Sequence, residues 1–326
     1  MINNQNKKYM THSNHCSIQF SNLSDIQSKL IGNVVITDDV VYSIYKELLK
    51  DSKVIVIEHG ENNKTLDTVQ NIYLKLIQYN VSRNTIVYGF GGGLITDITG
   101  YVCSTFMRGC KFEFIPTTLL ADIDAAIGGK NGVNFDGYKN LIGTINEPSA
   151  INICTDFLST LPKEELYSGY GEAVKYAILF NNPKLLEYSK DDLIRKCIEY
   201  KNTIVTQDKY ETGIRKLLNL GHTIGHAVEK HFNYKYSHGQ SVLIGIYYML
   251  KYSLKNLYID CKLYNTWNAI INEYMLSEIP ELSIDCLQCI NCDKKHNGGF
   301  IDIVVIHNSK CEIETVNIQD FIADIL

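Results

Sequence analysis

Four short apolar runs, rich in β-branched and aromatic residues, mark the first half of the chain. Each stops at a glycine, a proline or an acidic residue, and this pattern restricts the fold more than any other feature. Val34-Val35-Ile36-Thr37 ends at Asp38-Asp39, and Val54-Ile55-Val56-Ile57 ends at Glu58-His59-Gly60-Glu61. Thr85-Ile86-Val87-Tyr88 ends at Gly89, and Phe112-Glu113-Phe114-Ile115 ends at Pro116. Helical periodicity lies between them, as over Leu66 to Gln78. Strands alternating with helices predict a parallel sheet with helices on its faces. Ligands of such sheets bind outside the carboxyl ends of the strands, where Asp38, Glu61, Gly91-Gly92-Gly93 and Thr117-Thr118 fall. From about Thr155 the pattern turns helical, over Asp156 to Leu161, Pro162 to Phe180, Leu193 to Asp208 and Gly239 to Leu257. The expected architecture is therefore an α/β domain over residues 1–150 followed by a helical domain over 151–326. Gly299 to Ile306 alternates less clearly and is a candidate returning strand.

The chain's 326 residues suffice for two domains. Its net charge of −5 gives no basic face of the size nucleic acid needs, and no partner of that kind is expected. No run approaches the ~18 apolar residues of a membrane span. Met1 to Asn14 is polar, lacks the apolar centre of a secretory signal and is expected to be a loose arm. The ten cysteines then read as reduced thiols of a cytoplasmic protein. Cys286, Cys289 and Cys292, with His296 nearby, have the spacing of a metal-binding run. The same spacing fits a buried helix face.

Chemistry concentrates in Leu218-Asn219-Leu220-Gly221-His222-Thr223-Ile224-Gly225-His226, followed by His238-Gly239. His222 and His226 are four apart and share one helix face, whereas His231 would turn to the opposite face. Imidazoles at this spacing suit a zinc-type ion, although histidines at such spacing also occur that never meet. Upstream, Glu172 and Lys175 lie one helical turn apart, a carboxylate beside an ammonium. Phe90-Gly91-Gly92-Gly93-Leu94-Ile95-Thr96-Asp97 leaves a strand and enters a helix, which suits either a nucleotide phosphate or a tight structural turn. Arg108, Lys130, Lys139, Lys175, Lys201 and Arg215 are candidate fixed cations, with Asn140 and Asn219 as neutral donors. An anionic substrate carrying phosphate and carboxylate needs such a set. Taken singly, each cation reads as a solvated surface residue, and only a fold can gather them.

Together these blocks resemble the 3-dehydroquinate synthases of the sugar-phosphate cyclase superfamily. The resemblance runs from about Asp38 to at least Lys295. It is carried by Gly60-Glu61 with Lys64, Gly91-Gly92-Gly93 with Asp97, Arg108-Gly109, Pro116-Thr117-Thr118-Leu119-Leu120, Asp124 and Gly128-Gly129-Lys130. It continues through Lys139-Asn140, Gly171-Glu172 with Lys175, Asp208 with Glu211, Arg215, Leu218-Asn219, Gly221-His222-Thr223, Gly225-His226-Ala227, His238-Gly239 and Asp293-Lys294-Lys295.

The resemblance implies a Rossmann-like NAD-binding domain followed by a helical metal- and substrate-binding domain. It implies zinc (or cobalt) on Glu172, His222 and His238, and it reassigns His226 from metal ligand to phosphate contact. It implies NAD on Asp38, Glu61, Lys64, Gly92, Gly93, Asp97, Thr117, Thr118, Lys139 and Thr160. Substrate would be held by Asp124, Lys130, Asn140, Lys175, Lys201, Arg215, Asn219, His226 and Lys295. Arg108 would reach the substrate of a neighbouring subunit, hence a homodimer. Lys175, Asp124, His226, Lys130 and Arg215 stand closest to the chemistry. The implied reaction takes 3-deoxy-D-arabino-heptulosonate 7-phosphate to 3-dehydroquinate and phosphate, in the shikimate pathway. It proceeds by transient oxidation at C5, phosphate elimination, re-reduction and aldol closure, without net redox change. Sister cyclases, metal-dependent polyol dehydrogenases and an inert dinucleotide-binding protein are the rival readings: the first alter substrate contacts, the second turn over NAD, and the third should have lost a zinc ligand or Lys175, which this chain keeps.

Overall fold

A computed structural model describes residues 16–292 and 298–326. The chain divides into two compact units between Leu161 and Pro162. The first carries strands β1 (Ser17–Phe20), β2 (Val34–Asp38), β3 (Lys53–Ile57), β4 (Ile86–Gly91), β5 (Lys111–Pro116), β6 (Lys130–Phe135), β7 (Tyr138–Ile145) and β8 (Ala150–Ile153). Its α-helices are α1 (Leu23–Leu30), α2 (Asp39–Leu49), α3 (Leu66–Gln78) and α4 (Gly93–Thr105).

Six strands form one parallel sheet in the order β1-β8-β5-β4-β2-β3. Every residue of β2 and β8 is buried. Strands covered on both faces have no solvent side to mark with polar residues, so their apolar runs are continuous. The strand order reverses between β2 and β4, so the carboxyl ends at Asp38 and Gly91 flank the switch point. Local caps begin the helices there: Asp38 Oδ1 accepts from Val41 N at 2.8 Å and starts α2, and Thr65 caps α3.

All four expected strands form. β1, β8 and the antiparallel hairpin β6–β7 were not expected, and because β8 begins at Ala150 the sheet continues past residue 150. β1 and β8 have only four residues each, and β7 is mostly exposed, so none carries a long apolar signal.

The second unit contains α5 (Lys163–Leu179), α6 (Lys190–Gln207), α7 (His222–His231), α8 (His238–Lys255), α9 (Cys261–Tyr274), α10 (Ile284–Gln288) and α11 (Ile318–Ile325). Gly299 to Ile306 does return as a strand, β9 (Phe300–Ile306), paired antiparallel with the unexpected β10 (Cys311–Asn317). One core joins Ile224, Val228, Ile244, Met249, Leu287, Ile303 and Phe321. Cys286 is buried in this core and Cys289 packs against it, as a helix face would. Among the described residues no cysteine belongs to a metal-binding group; His296 and the side chain of Cys292 lie outside them. No described helix is long and apolar enough to cross a membrane.

Glycines set the helix spacing of this unit. A Cβ at Gly239 would overlap the carbonyl of Ser168, and one at Gly171 would overlap that of Gly239. The backbones of α5 and α8 therefore touch at the residues next to Glu172 and His238.

Candidate metal and anion centre

Glu172 projects from α5 with no exposed surface, and its Oε1 lies 3.2 Å from His238 Nε2 and 3.6 Å from His222 Nε2. Three donors bound tetrahedrally at about 2.0–2.1 Å would sit about 3.4 Å apart, close to these two separations. The three ligand atoms lie within 4.8 Å of one another. The other ring nitrogens are occupied: His222 Nδ1 lies 3.1 Å from the Leu220 carbonyl, and His238 Nδ1 lies 3.1 Å from Glu229 Oε1. Such partners turn Nε2 toward the ion. Two imidazoles and a carboxylate with this outer support fit a zinc-type ion.

Charge around the centre is unevenly shared. Glu172 Oε2 contacts Lys175 Nζ, so one carboxylate oxygen faces the imidazoles and the other the ammonium. Burial pushes the His222 imidazole well below its ordinary range; Glu172 opposes this, and Lys175, His238 and His226 reinforce it. Burial lowers His238 too, but its hydrogen bonds to Glu172 and Glu229 prevail and raise it to about 10. An ion at His238 must displace that proton. Glu229, itself buried, was missed by the sequence reading. The signal was present, since it follows His222 by two helical turns and so shares its face. His226 joins the cluster, its ring centroid 5.5 Å from His222 and 6.3 Å from His238.

Three candidate cations of this unit are not solvated. Lys175, Lys201 and Arg215 are all buried, which such residues rarely are unless paired. Arg215 ends in a hydrogen bond from Nη1 to the Lys209 carbonyl at 2.6 Å, and Asn219 Nδ2 donates to Glu211 Oε1 at 2.6 Å. The loop leading to Arg215 is built on Asp208, whose carboxylate accepts from the N–H groups of Thr212, Gly213 and Arg215. Desolvation pushes this carboxyl up, but the bonds from Gly213, Arg215 and Thr212 outweigh it and bring it down to about 2. Because the folded value lies below the unfolded one, the contribution is full at neutral pH and fades as pH falls below 4 toward 2. Chemical denaturation should therefore show Asp208→Asn destabilised at pH 7 and matching the parent protein near pH 2. An equal gap at both values would contradict the assignment.

The first unit gathers a separate cluster. Buried Lys64 donates from Nζ to Asp97 Oδ2 at 2.5 Å and to Asn140 Oδ1 at 2.6 Å, with Glu61 Oε1 at 4.0 Å. Burial alone would lower this lysine; Asp97 and Glu61 hold it above its ordinary range. Gly92, at the carboxyl end of β4, starts α4 without any side-chain cap, so the first-turn N–H groups face outward as an anion cradle. A Cβ on Gly92 would lie 3.0 Å from Thr118, which closes the cradle's other side. Both features fit a dinucleotide.

The remaining expected residues occupy separate places. Asp38 caps α2 and is raised by burial, Gly93 opens α4, Thr117 follows β5, and Asp124 lies in a π-turn over Ala121–Ala125. Lys130 opens β6, and Lys139 precedes Asn140 on β7. Thr160 Oγ1 meets Tyr45 Oη at 2.6 Å. Arg108 is exposed at the end of α4's trailing turn, in the left-handed region at φ 64°. Lys295 lies outside the described residues.

Residues 54–168 match the family profile described as 3-dehydroquinate synthase N-terminal, and residues 169–296 match that described as 3-dehydroquinate synthase C-terminal. The chain is 40% identical over 311 residues to a 3-dehydroquinate synthase of Pyrococcus abyssi (strain GE5 / Orsay), covering 90% of each. A crystal structure of 2-deoxy-scyllo-inosose synthase complexed with carbaglucose-6-phosphate, NAD+ and Co2+ gives a TM-score of 0.87 at 22% identity, over 98% of this chain and 99% of that one. ValA, the 2-epi-5-epi-valiolone synthase of Streptomyces hygroscopicus subsp. jinggangensis 5008 with NAD+ and Zn2+ bound, gives 0.83 at 24% identity, over 95% and 94%. At these identities the structural likeness establishes the fold: a Rossmann-like parallel sheet followed by a helical part.

Proposed function

This chain belongs to the 3-dehydroquinate synthase family, and on that premise we propose that it converts 3-deoxy-D-arabino-heptulosonate 7-phosphate to 3-dehydroquinate and phosphate. The observation that carries the reading is the Glu172–His222–His238 donor set, with Glu172 buried and Lys175 on its second carboxylate oxygen. Glu172, His222 and His238 would hold zinc or cobalt. The Gly92–Gly93 cradle, Thr117, Thr118 and the Glu61, Lys64 and Asp97 group would hold NAD, with Asp38, Lys139 and Thr160. When bound, the ion polarises substrate oxygens as a Lewis acid, and NAD accepts and returns a hydride.

The chain's own residues hold the substrate's charges and one conformer. His226 supplies a donor to phosphate, joined by Arg108 from the second protomer of a cytoplasmic homodimer. Lys130, Asn140, Lys201, Arg215, Asn219 and Lys295 supply further donors to the substrate, and Asp124 an acceptor. Lys175, tied to Glu172, fixes a cation beside the ion, where it favours an alkoxide over its alcohol.

The test is phosphate release from the heptulosonate phosphate with NAD and zinc present, followed alongside absorbance of reduced NAD. Release with dehydroquinate formed and no lasting absorbance is expected. No release, with reduced NAD accumulating on simple polyols, would replace the reading with a dehydrogenase.

A further inference from the structure

Asn134 falls where the β6–β7 ladder loses register, between the pairs Val133–Ile142 and Phe135–Tyr138. Its polar groups turn to other partners. Its N–H donates to the Lys64 carbonyl at 2.8 Å. Its side-chain Nδ2 donates to Glu61 Oε1 at 2.8 Å and to the Glu61 carbonyl at 3.3 Å. Its Oδ1 accepts from the backbone N–H of Asn140 at 2.9 Å. The orientation of the amide is fixed chemically, because a carboxylate can only accept and a backbone N–H can only donate. Asn140 sits at φ +51°, in the left-handed region that non-glycine residues enter only when held there. Its own side-chain oxygen is tied to Lys64, which leaves its NH2 group to face outward.

We propose that Asn134 is a positioning residue that holds two subsites at once: its donor end aims the Glu61 carboxylate, and its acceptor end fixes the backbone of Asn140. The proposal rests on the reading above, in which Glu61 serves NAD and Asn140 the substrate. One short neutral amide does both. An aspartate at this position keeps the acceptor for Asn140 but sets a carboxylate oxygen against that of Glu61, so the two ends can be separated experimentally.

The experiment measures NAD affinity by calorimetry on the zinc-loaded full chain, together with substrate KM and kcat. In Asn134→Asp the NAD dissociation constant should rise about tenfold while substrate KM changes less than about twofold. In the Glu61→Gln background the same change should cost nothing further, because the glutamine amide can donate to the new carboxylate; a general loss of structure would not be relieved this way. An unchanged NAD constant in Asn134→Asp, or a penalty of the same size in both backgrounds, overturns the proposal. If Asn134→Asp does not fold, Asn134→Ser takes its place: too short for either partner, it should raise both constants about fivefold, and a rise in neither overturns the proposal. Absence of NAD binding by the unsubstituted protein overturns the functional reading and this proposal together; normal NAD binding with an indifferent Asn134 overturns this proposal alone.

Discussion

Glu172→Gln should lower affinity for zinc or cobalt by roughly a thousandfold and abolish turnover. Changes in the outer support of a metal site cost about 10–100-fold, and this change removes the anionic ligand itself. Glutamine keeps one acceptor oxygen where the structure uses two. If that oxygen faces His222 and His238, the NH2 group confronts the Lys175 ammonium; if it faces Lys175, the NH2 group points at the imidazole nitrogens. The pair is also wholly buried, and breaking such a pair costs about 3–5 kcal/mol. Two readings check this: titration with cobalt(II) followed by its visible absorption, and melting with and without metal. The parent protein should gain stability with metal concentration, and the variant should gain none. A variant that binds cobalt tightly with an unchanged spectrum would remove Glu172 from the ligand set.

Gly239→Ala should be the most damaging substitution of a single methyl. The new Cβ would overlap the Ser168 carbonyl, which is backbone and has no rotamer by which to move away. α5 and α8 must separate or bend, at a cost in the upper part of the range of about 1–3 kcal/mol for overpacking, or above it. The separation acts directly on the residues beside the crossing, Glu172 and His238, whose atoms lie 3.2 Å apart. A displacement of about 1 Å in such a site costs about a hundredfold in rate. Melting temperature and cobalt affinity should fall together. A lowered melting temperature with metal affinity intact would mean that the crossing supports the fold without setting the ligand spacing.

Much of this was legible in the sequence where physics acts locally. β2, β4 and β5 could be read because burial on both faces demands unbroken apolar runs, the edge strand β3 because its run is β-branched although partly exposed, and α3 because its core-facing residues recur with helical period. Longer-range features were not legible. Spacing paired His222 with His226, yet Glu172 reaches the centre from α5 and His238 from α8; the resemblance, not periodicity, brought those three together. The burial of Lys201 and Arg215 depends on what packs over them, which composition does not contain. Asn134 gives no local signal, because its partner Glu61 lies 73 positions away. The run Cys286-Cys289-Cys292 has a spacing that fits both a metal-binding run and a buried helix face, and at the two positions described it serves core packing.

The sheet's strand order also sets a timetable for making the protein. β3, β2, β4 and β5 follow one another closely in the chain and lie side by side, so each finds its neighbour soon after leaving the ribosome. β1 pairs with β8, and Ser17 and Ser149, which share a hydrogen bond, are 132 positions apart. At about 5–20 residues per second, the first strand synthesised waits of the order of ten seconds for its neighbour. The sheet thus grows from its β3 edge across to β8, and its earliest strand is the last to be placed, on the opposite edge.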